Sequence, residues 1–160
     1  MVDRKFFERP ATEVAKDLQG MIIVDFVSPN DIRTATITEA MPYNSPQEGR
    51  GEEVFYQEAG KLGVFSSRRG PIPLITAHSE EKSGLVTITE VAFGNEKIGT
   101  REIATKFRFD EKKGLYVGEE GGLYIGESPV NYNKLGVRAN VTHPSDGPKN
   151  RVFVASLGYR

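Results

Sequence analysis

The chain has 160 residues, no cysteine, two histidines and a net charge of −1 at pH 7. That length suits one domain with a single core, and the missing cysteines exclude disulfides, thiolate catalysis and cysteine-built zinc sites. The near-neutral charge excludes a global basic field, so any nucleic-acid contact has to come from a local patch.

The histidines, His78 and His143, lie far apart in the chain. Neither a histidine-built metal site nor a Ser-His-Asp triad is expected, and no metal or cofactor is expected. Chemistry therefore rests on carboxylates, hydroxyls and positive charges. No apolar run reaches the ~20 residues that span a bilayer. Met1 to Lys5 lead into a patterned helix rather than an apolar signal core. The expectation is a cytoplasmic monomer with no membrane contact.

Phe6-Phe7-Glu8-Arg9-Pro10 introduces the first helix. Pro10 suits its entry and Gly20 its C′ position, and Val14, Ala15 and Leu18 form its apolar stripe. Met21 to Val27 reads as a strand, Ser28 to Asp31 as a turn, and Ile32 to Glu39 as the antiparallel return. Asn44 to Gly51 reads as a loop, and Glu52 to Gln57 fits a short helix or a strand. Gly60 to Phe65 reads as a turn and strand, and Ser66 to Pro71 as an exposed basic loop. Ile72 to Ala77 and Leu85 to Val91 are two more strands, joined by a charged turn over residues 79–84. Gly99 to Phe107 fits a short helix, with Ile103 and Phe107 at i, i+4.

Leu115-Tyr116-Val117-Gly118-Glu119 is answered by Leu123-Tyr124-Ile125-Gly126-Glu127, which predicts a hairpin. Its glycine-rich centre is too acidic for a phosphate loop. Leu135 to Val141 and Val152 to Leu157 read as closing strands. The fold expected over residues 1–160 is a single α+β domain, a curved, mostly antiparallel sheet with an N-terminal helix and few other short helices.

The candidate for chemistry is Glu39, within Thr34-Ala35-Thr36-Ile37-Thr38-Glu39-Ala40-Met41-Pro42-Tyr43. Strict alternation places Ala35, Ile37 and Glu39 on one face. Pro42 has no N–H and is expected to stop the ladder, leaving Glu39 at the strand's end. A carboxylate there is costly unless it is paired, hydrogen-bonded or facing a cleft.

Residues Phe6 to Gly20 resemble the opening of the alkyladenine (3-methyladenine) DNA glycosylase family, in which a Phe-Phe, Arg-Pro, Val-Ala, Leu-Leu-Gly helix leads into an apolar strand. Thr38-Glu39-Ala40 resembles that family's strand ending in Thr-Glu-Ala and then tyrosine, with Tyr43 two residues late. Val54-Phe55, Gly60 and Leu62-Gly63-Val64-Phe65 are similar to its apolar-Phe pair, turn and Leu-Tyr-Val-Tyr strand. Asn133 to Val137 and Arg151 to Val154 resemble its C-terminal segments.

The resemblance implies removal of alkylated or deaminated purines from double-stranded DNA. The nucleotide is flipped into a pocket and its N-glycosidic bond is hydrolysed by water. Glu39 matches the catalytic glutamate and takes the role of general base. Tyr43 and Phe65 are expected as base-stacking walls, with Gly63 at the first tyrosine position of the family strand. Arg50 falls near the family's base-stacking histidine, and Arg68, beside Arg69, falls where the family carries its aromatic wedge. These three arginines are the DNA-binding candidates, with Lys134, Arg138, Lys149 and Arg151 extending the patch. A second function class is a non-catalytic nucleic-acid or nucleotide-binding module on the same scaffold. For each residue the bland alternative is an ordinary core, rim or solvated role; His78 and His143 are read as surface-loop histidines.

Overall fold

The computed structural model describes residues 2–28, 30–43, 58–80, 83–109 and 123–126, with Ser67 by backbone only, and two further strands by backbone alone, Arg138–Ala139 and Ala155–Gly158. A 3₁₀ turn at Arg4–Phe7 precedes helix α1, Ala11–Leu18. The strands are β1 (Ile22–Ser28), β2 (Asp31–Tyr43), β3 (Leu62–Ser67), β4 (Gly70–His78), β5 (Ser83–Phe93) and β6 (Glu96–Gly99). Helix α2 (Thr100–Lys106) follows, then β7 (Leu123–Gly126), β8 (Arg138–Ala139) and β9 (Ala155–Gly158). The fold is α+β, one antiparallel sheet in the order β3-β4-β5-β2-β1-β7, with β6 on β5 and β9 on β2.

Both helices cover the same face. α1 presents Ala11, Val14, Ala15 and Leu18, and α2 presents Ile103 with Phe107 just beyond it. They pack on Ile23, Ile37, Ala40, Ile75, Ala77, Val86, Ile88, Val91 and Ile125. Pro10 opens α1 and Gly20, at φ +78°, closes it in the left-handed conformation, as the sequence suggests. Gly84 permits the close approach of α1. A Cβ there would lie 2.9 Å from the Tyr43 carbonyl oxygen and 3.0 Å from the Ala11 methyl.

A smaller apolar cluster lies apart from this core: Leu74 and Leu85, with Tyr43, Phe65 and Ile72 packed on them. Register assigns it to the opposite face of the sheet. Tyr43 pairs with Leu85 across β2 and β5, and Phe65 with Ile72 across β3 and β4, while the neighbours Ala40, Val86 and Ile75 belong to the core.

Asp25 on β1 is fully buried, and Arg108, just past α2, neutralises it with two hydrogen bonds, one of 2.8 Å from Nε to Oδ2. Arg108 also donates to the Phe26 carbonyl at 3.2 Å. It holds φ +44°, a conformation usually left to glycine or asparagine after a helix. The buried ion pair gives a reason for an arginine there.

Several expectations change. β2 runs through Pro42 to Tyr43, with Pro42 opposite Val86, so the proline does not end the ladder. On its other edge β2 pairs with β9 only at Glu39 and Ala40, so among the described residues no strand needs a donor from Pro42. The basic loop shrinks to a two-residue turn, Arg68-Arg69, because Ser67 already pairs with Gly70. His78 ends β4 opposite Ser83 and is half-buried rather than a surface-loop residue; burial pulls its pKa down. β6 adds a strand to those expected from the sequence. The described half of the expected hairpin, β7, pairs with β1. The segments 44–57, 110–122 and 127–137 and His143 lie outside the described residues.

Two stability outcomes follow. Arg108→Ala strands a buried carboxylate and should cost about 3–5 kcal/mol in urea unfolding, whereas Asp17→Asn, which breaks the exposed Arg9–Asp17 pair, should cost less than about 1 kcal/mol. Gly84→Ala should cost roughly 1–3 kcal/mol, because the new methyl meets backbone that cannot yield.

Candidate functional site

Thr36-Ile37-Thr38-Glu39 on β2 and Thr87-Ile88-Thr89-Glu90 on β5 are the same tetrapeptide on neighbouring antiparallel strands. The register is symmetric about their glutamates. Ile37 pairs with Val91, Glu39 with Glu90, and Ala40 with Ile88. Each strand thus carries one extra residue, Thr38 on β2 and Thr89 on β5, at a β-bulge. Ile37, Ala40, Ile88 and Val91 all lie in the core, and neither glutamate does.

The bulge overturns one expectation. Glu39 does not share the face of Ile37, because the extra residue at Thr38 resets the alternation. From Glu39 onward the phase is regular, with Ala40 and Pro42 buried and Glu39, Met41 and Tyr43 half-buried. Glu39 therefore points to the sheet face that carries Tyr43 and Phe65.

The two carboxylates are held differently. Thr38 Oγ1 donates to Glu90 Oε1 at 2.9 Å, and Lys97 Nζ of β6 lies 3.5 Å from the same oxygen. Glu39 Oε2 accepts a longer 3.4 Å bond from Thr89 Oγ1. Burial first, and the facing Glu90 carboxylate second, push Glu39 above the usual glutamate range; the Thr89 bond and the Lys97 charge offset this in part. Burial also pushes the Tyr43 hydroxyl up.

Tyr43 and Phe65 each pack against the Leu74–Leu85 pair of the outer apolar cluster. Tyr43 lies four residues, about 13 Å of strand, beyond Glu39. Because a strand repeats every two residues, a tyrosine that comes two positions late keeps its face and loses only proximity. Met41 occupies the nearer position, and its cross-strand partner Thr87 is buried with an unbonded hydroxyl. Arg68 and Arg69 stand exposed at the β3–β4 turn. The side chain of Arg101 on α2 reaches the same turn, 3.0 Å from where a Cβ on Gly70 would stand. Arg50, Lys134, Lys149 and Arg151 lie outside the described residues, and Arg138 is described by backbone only.

Sequence reasoning missed Thr38, Thr89, Glu90, Lys97, Met41, Thr87 and Arg101. The repeated Thr-Ile-Thr-Glu was the available signal for the first three: identical segments on paired antiparallel strands can oppose their like residues. No family model matches the chain, and no curated protein matches it.

The raised Glu39 pKa has a stability sign. Below the ordinary glutamate value of 4.5 both folded and unfolded chains hold this proton. As pH rises above it the unfolded chain ionises first, so the stability contributed by protonated Glu39 is lost up to the folded midpoint. Glu39→Gln should be more stable than wild type at pH 7 by roughly 0.2–1 kcal/mol, the scale of a like-charge cross-strand contact. That advantage should shrink on acidification, as read by urea unfolding at several pH values.

Proposed function

We propose that the protein is a DNA N-glycosylase for alkylated or deaminated purines, with Glu39 as its general base. The observation that carries this reading is the face shared by a half-buried, proton-avid carboxyl and an apolar cluster that includes two aromatic side chains. A general base works best with a pKa moved towards the operating pH, and burial beside a second carboxylate moves Glu39 in that direction. Tyr43 and Phe65 offer π-faces to an extruded purine, a contact worth ~1–3 kcal/mol per base. Met41, between Glu39 and Tyr43, adds a polarizable thioether to the same surface.

The chemistry needs few groups. Glu39 takes a proton from water as its oxygen bonds to C1′. The N-glycosidic bond breaks and its electron pair leaves with the base, which damage has already made a good leaving group. The Glu39 carboxylate also opposes positive charge developing on the sugar. Arg68 and Arg69 supply phosphate contacts, which position a duplex without reading its sequence.

The test is single-turnover base release, at low salt, from duplexes carrying one hypoxanthine or one ethenoadenine and from randomly methylated DNA. Wild type should release base, and Glu39→Gln should be slower by at least ~10²-fold while remaining folded. Equal rates would remove Glu39 from the mechanism. Release from no substrate, with duplex binding intact, would favour the non-catalytic binding module. Arg68→Ala/Arg69→Ala should weaken binding and flatten the dependence of log K on log salt, by about 0.9 for each phosphate that is no longer neutralised.

A further inference from the structure

We propose that Glu90 is a positioning residue for Glu39, directing to Glu39 the one proton that the opposed pair takes up. The inference deepens the reading of Glu39 as a base, and its catalytic consequence rests on that reading; the proton placement itself does not.

The geometry supplies the coupling. Glu39 and Glu90 are direct cross-strand partners at the centre of a symmetric pair of bulges. Two carboxylates so placed on a half-buried face resist double ionisation, and one of them holds the proton more tightly.

Two tetrapeptides of identical sequence would give no preference between them. The asymmetry comes from β6. Lys97 approaches Glu90 Oε1 to 3.5 Å, and the same oxygen takes the shorter threonine bond, 2.9 Å from Thr38. Among the described residues, Glu39 takes only the 3.4 Å bond from Thr89. Glu90 is therefore the carboxylate whose position is fixed, and it faces Glu39 from there.

Among the described residues, the charged groups acting on Glu39 are Glu90 from β5 and Lys97 from β6. The strand on its other edge, β9, consists of Ala155, Ser156, Leu157 and Gly158 and adds no titratable side chain. Burial, the largest cause, is independent of Glu90. Removing Glu90 should therefore bring Glu39 down only part of the way.

The experiment is a carbon-13 NMR pH titration of full-length protein labelled at the glutamate carboxyl carbon, with the Glu39 resonance assigned by its loss in Glu39→Gln. In Glu90→Gln, which keeps an oxygen acceptor for Thr38, the Glu39 midpoint should fall towards the ordinary value without reaching it. In the Glu90→Gln background, Lys97→Met, a change at an exposed side chain that does not threaten the fold, should raise it, because only the direct pull of Lys97 on Glu39 is then left. In Thr89→Val it should also rise. A Glu39 midpoint unmoved by Glu90→Gln overturns the proposal; Glu90 would then be only a structural partner of Lys97.

Where base release is measurable, the acid limb of its pH profile should move to lower pH in Glu90→Gln. The NMR titration decides the proton placement whether or not base release is found, so failure of the glycosylase reading and failure of this inference are separable.

Discussion

The sheet depends on where two strands change phase. β2 and β5 each carry an isoleucine committed to the core, then Thr-Glu, then another core residue, Ala40 or Val91. Unbroken alternation would bury both glutamates beneath the helices, at a cost of several kcal/mol per ion. One extra residue in β2 alone would turn Glu39 outward and throw β2 out of register with β5. An extra residue in each strand, at the same level, turns both glutamates outward and keeps Ala40, Pro42 and Tyr43 in step with Ile88, Val86 and Leu85. The threonines that form the bulges then direct their hydroxyls to the opposite strand's carboxylate.

This solution leaves like charges facing each other. The arrangement lowers stability locally and gives a carboxyl that holds a proton more readily than a free glutamate would. It also sits in the middle of paired strands, where a side chain is held more firmly than on a loop. Local instability retained at a rigid position is the pattern expected of a functional group. In the proposed glycosylase the same bulge does two jobs: it brings Glu39 to the face of Tyr43 and Phe65, and it supplies the neighbour that tunes it.

The sequence was most readable where one local rule decides the outcome. Pro10, the Val14-Ala15-Leu18 stripe and Gly20 marked α1 because caps and helical period act within a few residues. The hairpin strands β1–β2 and β4–β5 are marked by turn residues between apolar runs, although Ser83 and Gly84, expected in the charged turn, already belong to β5. The face of Glu39 is not legible locally because a bulge is settled between strands: nothing within Thr34–Tyr43 shows that Thr38 is the extra residue until β5 is set beside it. Pro42 misled for a related reason, since a missing N–H matters only on an edge where a neighbour needs it. Glu90 could have been found by comparing the chain with itself at the level of four residues. The contributions of Lys97 and Arg101 follow from packing and had no local mark.

The most direct test of this account is a double-mutant cycle on stability across Glu39 and Glu90, using Glu39→Gln, Glu90→Gln and the double variant in urea at pH 7. Two carboxylates opposed through paired bulges should be coupled with a repulsive sign by roughly 0.2–1 kcal/mol, so that the second substitution relieves little once the first is made. Strict additivity would mean that the two glutamates do not face each other, and the paired bulges, the outward Glu39 and the site built on them would be wrong together.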